Sequence, residues 1–199
     1  MTEVLAPTRE RLLRSAQELI EEDGYGAASV IAIADRAGVA TGTLSRHFSS
    51  KEQLFVEVFR SVCDREVEAM QAASEGMAAD ASPVDRLETV LATFAQRALR
   101  RPRLAWALLA EPVDPLVDGE RLAYRERYSA LTAAAVRAGI DAGELPVQNV
   151  ELTAAALVGA CGEALVGPLS PVARARPSGA EVGSSLRTFV RRAVGAGGS

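Results

Sequence analysis

Apolar side chains recur at helical spacing along almost the whole chain, and no run rich in valine and threonine alternates between hairpin turns. The pattern predicts an all-α protein. Leu12, Ala16, Leu19 and Ile20 form one stripe of a first helix, with Thr8 placed to cap it and Gly24 to end it. Ser29 opens a short helix to Ala37, and Gly38 supplies a residue able to turn left-handed after it. Thr41 is placed to cap a second short helix running to about His47. Ser49 and Glu52 have the S-x-x-E spacing of a capping box, at the head of a longer helix that buries Leu54, Phe55, Val58, Phe59 and Val62. Composition loosens after Ala72. Further helices are predicted from Ser82 and Pro83, from Leu104 to Ala110 before Pro112, from about Asp118 to Ala142, from Asn149 to about Val166, and across Val182 to Ala193. Residues 195–199 are expected to fray.

Two short helices joined by a glycine turn, braced by one helix before and one after, have the spacing of a helix-turn-helix DNA reader. The second helix must then offer short polar side chains to the major groove, and Thr41, Thr43, Ser45, Arg46 and His47 do so. Leu44 and Phe48, four apart, anchor it inward, while Gly42 lets its backbone approach the duplex. Lys51 is the single lysine among 22 basic residues and sits in the first turn of the next helix, where a cation opposes the helix dipole. A phosphate beside it accounts for that choice, and the helix start at Ser29 offers a second phosphate contact.

Charge narrows the picture. The chain carries a net charge of -4, so attraction to DNA must be local. Residues 1–60 sum to -2, yet residues 36–51 sum to +3 and contain no acid. Cys63 and Cys161 have no zinc or disulfide spacing, and a lone histidine leaves no Ser-His-Asp, Cys-His or metal constellation. An enzyme, a metal site and a cofactor are therefore not expected. The first residues lack the pattern of a secretory leader, and Leu152 to Ala173 is interrupted by Glu163 and Pro168. These features predict a cytoplasmic protein with a buried helix there rather than a membrane span.

Taken together, Tyr25, Ser29, Ile33, Ala34, Ala37, Gly38, Val39, Gly42, Thr43, Leu44, Phe48, Lys51 and Leu54 resemble the N-terminal motif of the TetR family of bacterial transcriptional regulators. The resemblance covers about residues 8–60 and departs from the pattern at Ser45, where the family usually has a DNA-touching tyrosine, and at Ala40, commonly serine. It implies a DNA-binding domain over residues 1–60 and a larger helical domain over 61–199 for effector binding and dimerisation. It also implies a repressor that leaves its operator when a small molecule binds.

Reading a palindromic operator needs two recognition helices about 34 Å apart, hence a homodimer. Ala155, Gly159 and Gly162 permit close approach along one helix, and Leu186, Phe189 and Val190 lie on the last; together they are the expected interface. Trp106, Tyr124, Arg125, Tyr128 and Glu163 are the expected effector site, and Arg125 suits an anionic or carbonyl-bearing ligand. Two other readings remain open at this point. One is a helical small-molecule binder that has lost DNA activity, the other a regulator without a ligand that responds to oxidation of Cys63 or to a protein partner.

Overall fold

A computed structural model describes residues 7–111 and 114–196. Among these residues there are nine α-helices and no strand: α1 Thr8–Asp23, α2 Val30–Ala37, α3 Thr41–His47, α4 Lys51–Glu75, α5 Pro83–Arg100, α6 Pro102–Leu109, α7 Pro115–Asp141, α8 Val150–Leu169 and α9 Gly179–Ala193. One turn of 3-10 helix, Tyr25–Ala27, joins α1 to α2. The expectations for residues 1–6, for Pro112 and for the last three tail residues lie outside the described residues.

Helix starts differ from the sequence reading by a residue or two, for local reasons. Pro7 and Ala40, neither with a capping side chain, precede α1 and α3, so Thr8 and Thr41 are first helical residues instead of caps. Ser50, not Ser49, caps α4 by accepting from the Gln53 amide at 3.1 Å, so the expected Ser49–Glu52 box does not form. Asp114 caps α7 and places Pro115 in its first turn, three residues ahead of Asp118. A true capping box opens α9, where Ser178 and Glu181 bond each other's backbone amides.

The buried side chains make two adjoining cores. One unites α1 to α4 and continues through Leu104, Leu108, Tyr124 and Tyr128 of α6 and α7. The other joins α5, the end of α7, α8 and α9 through Leu87, Leu91, Leu157, Leu165, Leu186 and Val190. Each fully buried leucine or phenylalanine contributes about 1.5–3 kcal/mol by leaving water. Helix α4 runs unbroken through residue 60, so the expected boundary there falls within a helix instead of a linker. Near the end of α7 a side chain on Gly139 would meet Leu145 at 2.8 Å, and its absence lets the chain fold back over the helix end.

Helix α8 is long and apolar enough to cross a membrane by composition, yet only 28% of that window is buried. It is therefore not the fully buried helix expected. Ala154, Leu157, Cys161, Leu165 and Leu169 face the core, while Leu152 is 67% exposed on the opposite side.

Candidate functional site

The first site is built by the turn between α2 and α3. Ser29 caps α2 by accepting from the Ala32 amide at 3.1 Å, and Gly38 ends it at φ 64°, a left-handed conformation that a side chain would strain. Arg11 of α1 then donates to the Ala37 carbonyl through Nη2 at 2.5 Å and to the Gly38 carbonyl at 3.3 Å. These carbonyls lie at a helix end with no helical donor left, so Arg11 both satisfies them and fixes the angle at which α3 leaves. Sequence reasoning missed this clamp because its partners lie 26 residues away.

Helix α3 is seated by Leu44 and Phe48, which are 2% and 3% exposed. Arg9 stacks its guanidinium 5.0 Å from the Phe48 ring centroid and pairs with Glu57, covering the ring from outside. Thr41, Gly42, Ser45, Arg46 and His47 are exposed, Thr43 is half-buried, and nothing stands within 4 Å of where a Gly42 side chain would lie. Among the described residues Arg46 makes no ion pair.

The positive surface is smaller than the charge of residues 36–51 implied. Arg36 pairs with Glu22 at 2.6 Å, an acid that the sequence window excluded and the fold brings across from α1. Lys51 has an internal role that the sequence did not reveal. Its Nζ donates to the Tyr25 carbonyl at 3.1 Å and lies 4.0 Å from the Tyr25 ring centroid. Burial lowers its pKa, against the attraction of nearby carboxylates. The lysine thus bonds the single turn before α2 to the start of α4, so a phosphate is no longer needed to explain its presence.

The second site is a cavity of about 410 Å³ between the two cores. Phe59, Leu91, Phe94, Leu104, Leu108 and Val158 give it apolar walls. Tyr124, Arg125, Tyr128 and Glu163 reach it as expected, whereas Trp106 does not: its ring packs against the second core from the other side of α6. Helical spacing could not distinguish those faces because both are apolar. The Tyr124 hydroxyl donates to Asp64 Oδ1 at 2.8 Å, and Arg127 reaches the same oxygen at 2.5 Å, which lowers the Asp64 pKa. Cys63 and Cys161 also line the cavity, and burial pushes their thiols up to about 12 and about 11. At neutral pH both stay protonated, which removes the thiolate that an oxidation sensor needs.

Helix α6 walls the cavity and also packs against α1. Arg101, at the mouth of α6, pairs with Glu21 of α1 at 3.0 Å. At its other end Glu111 Oε2 accepts from the Tyr25 amide at 3.4 Å, and Arg121 holds the Glu111 carbonyl at 2.6 Å. Spacing does not reveal the ties of Arg101 and Glu111, since their partners lie 80 and 86 residues away.

Of the expected interface residues, Leu186 and Val190 are buried at 6% and 0% within the chain's own core. Gly159 and Gly162 line the cavity. Ala155 is exposed, and Phe189, 44% exposed, shares a shallow groove with Leu152, Ala156 and Ala193. The expected stripe on α9 mixed two faces: its core side carries Leu186 and Val190, its open side Phe189.

A glycine-turned pair of short helices, set on a cavity-bearing bundle by one continuous helix, defines a helix-turn-helix protein with an attached helical domain. Residues 12–58 match the model of the bacterial regulatory proteins of the tetR family, and residues 80–165 that of the tetracyclin repressor-like C-terminal domain. The transcriptional repressor KstR2 of Rhodococcus jostii is 30% identical over 156 residues, covering 70% of this chain and 71% of its own. The chain belongs to the TetR family. The repressor KstR of Mycobacterium tuberculosis is 36% identical over 101 residues, 50% of this chain but only 44% of that relative's length. The fold is that of FadR from Bacillus subtilis, solved with stearoyl-CoA, at a TM-score of 0.77 and 20% identity over 91% of this chain and 96% of that one.

Proposed function

We propose that the chain is a homodimeric repressor that reads an inverted-repeat operator with α3 and releases it when a small molecule enters the cavity. The observation that carries this reading is the double attachment of the α6 segment: the helix walls the cavity, and the residues flanking it, Arg101 and Glu111, bond α1 and the Tyr25 turn. A ligand that shifts α6 thereby acts on the frame that aims α3. Thr41, Gly42, Thr43, Ser45, Arg46 and His47 face the bases, and the amides at Ser29 and the free protons of Lys51 face phosphates. Kinship with KstR2, named a transcriptional repressor, supports the sign of regulation, and FadR with stearoyl-CoA supports a small-molecule effector in this fold. Dimerisation covers Leu152 and Ala156 on the exposed face of α8 and Phe189 on α9, which would otherwise stay in water. Such a protein acts where the DNA is, in the cytoplasm.

The test is selection of bound duplexes from a random pool by the purified protein. Enrichment of an inverted repeat, with half-sites one turn apart or a multiple of it, is the expected result. A folded dimer that enriches nothing at low salt overturns the DNA reading and leaves a small-molecule binder.

A further inference from the structure

We infer that the cavity takes an amphiphile with an apolar body and an anionic head, and that Arg100 and Arg125 meet the anion. The inference rests on the cavity being the effector site proposed above and names the class of effector. Across the chain acids outnumber bases, 26 to 22, yet six arginines and only two glutamates line this one cavity. Four of the six have internal duties. Arg97 is bidentate on Glu66, at 2.5 and 3.0 Å; Arg121 is spent on the Ala107, Leu108 and Glu111 carbonyls and on Asp118; Arg101 is paired with Glu21; Arg65 donates to Ser61 and Gln17. Arg100 and Arg125 have no hydrogen bond or ion pair among the described residues, and both are exposed at the lining. Against them stands only one unpaired carboxylate, Glu163.

Two unpaired guanidinium groups at the rim of an apolar space favour a carboxylate or phosphate over a neutral polar group, because a charge-assisted hydrogen bond is stronger than a neutral one. Phe59, Leu91, Phe94 and Leu104 present only carbon to the space, so the body of a ligand laid against them is apolar. Opposite polarity would require the free acids to outnumber the free arginines.

Isothermal titration of the dimer with dodecanoate, dodecanol and dodecylammonium separates charge from tail. Dodecanoate is expected to bind at least about tenfold more tightly than the other two. In R100Q/R125Q its affinity falls about tenfold and that of dodecanol stays the same, with an unchanged melting temperature, since neither arginine has an internal partner. Dodecanoyl-CoA tells a carboxylate head from a phosphate-bearing one; preference for either anion over dodecanol supports the inference. It is overturned by equal binding of dodecanol, by preference for the ammonium, by a double variant that behaves like the parent, or by no binding of any probe. Because no DNA is present, a ligand that binds in this order without releasing an operator counts against the repressor reading alone.

Discussion

Arginine does different work in the two halves of the molecule. In the DNA-reading unit Arg9, Arg11 and Arg36 hold the frame, while Arg46 stands clear of it on α3. Around the cavity the same side chain ends a helix at Arg121, pairs within the wall at Arg97, ties α6 to α1 at Arg101, and is free at Arg100 and Arg125. The first unit separates scaffold from surface over a few residues of sequence, because its helices are short and each boundary is punctuated. The second mixes them, because its helices are long and a residue's task depends on what another helix brings to it.

The contrast can be broken at the seat of α3. Leu44→Ala should cost about 2–5 kcal/mol and abolish operator binding, since the helix loses its anchor. Thermal unfolding and gel shift together check this; full operator affinity would mean that α3 is held by something else. Arg46→Ala is next, with operator affinity reduced by about 1–3 kcal/mol and an unchanged melting temperature. Unaltered affinity for the selected duplex would remove Arg46 from the reading surface.

Glu111→Gln and Arg101→Gln sharpen the other side. Each should change stability by at most about 1 kcal/mol, as exposed pairs do, and leave operator and effector affinities near those of the parent. What they lose is coupling, seen as operator retained at saturating effector. Normal release in both variants together would show that α6 does not carry the signal. For Lys51→Gln the salt dependence of operator binding should flatten by about one phosphate's worth, alongside weakened packing of Tyr25. An unchanged slope would assign the lysine to structure alone.

The smallest effect is alkaline. Burial holds the Cys63 thiol at about 12 against an ordinary 9.0, so the folded state keeps a proton that the unfolded chain gives up. That contribution is complete below about pH 9 and declines as pH rises toward 12. Urea midpoints on either side of pH 9 should fall less steeply in Cys63→Ala than in the parent. Equal slopes would place the alkaline loss elsewhere, for example at Tyr128, whose phenol is also pushed up by burial.

What was legible in the sequence follows the same division. The helix count, Ser29 as a cap, Gly38 as a left-handed stop, and Leu44 with Phe48 as inward anchors all rest on neighbours within a few residues, and local spacing reports those. Arg11 on the Gly38 carbonyl, Lys51 on Tyr25 and Glu22 on Arg36 each depend on a partner at least 14 residues away, which periodicity does not see. Trp106 stands off the cavity because α6 is apolar on more than one face, which gives periodicity no phase to choose; on the amphipathic α9, Leu186 and Val190 share one stripe with Phe189, and spacing does not report that the chain's own core covers those two.

The unengaged side chains of α3 have an evolutionary consequence. Ser45, Arg46 and His47 are exposed and take no part in the two buried cores, so the fold places little constraint on their identity. With α3 as the reading helix proposed above, changing them rewrites the address to which the protein is delivered without re-engineering its folding or its response. New operators are thus a few neutral-to-fold substitutions away, and a duplicated copy can acquire a separate target while keeping the same chemical input.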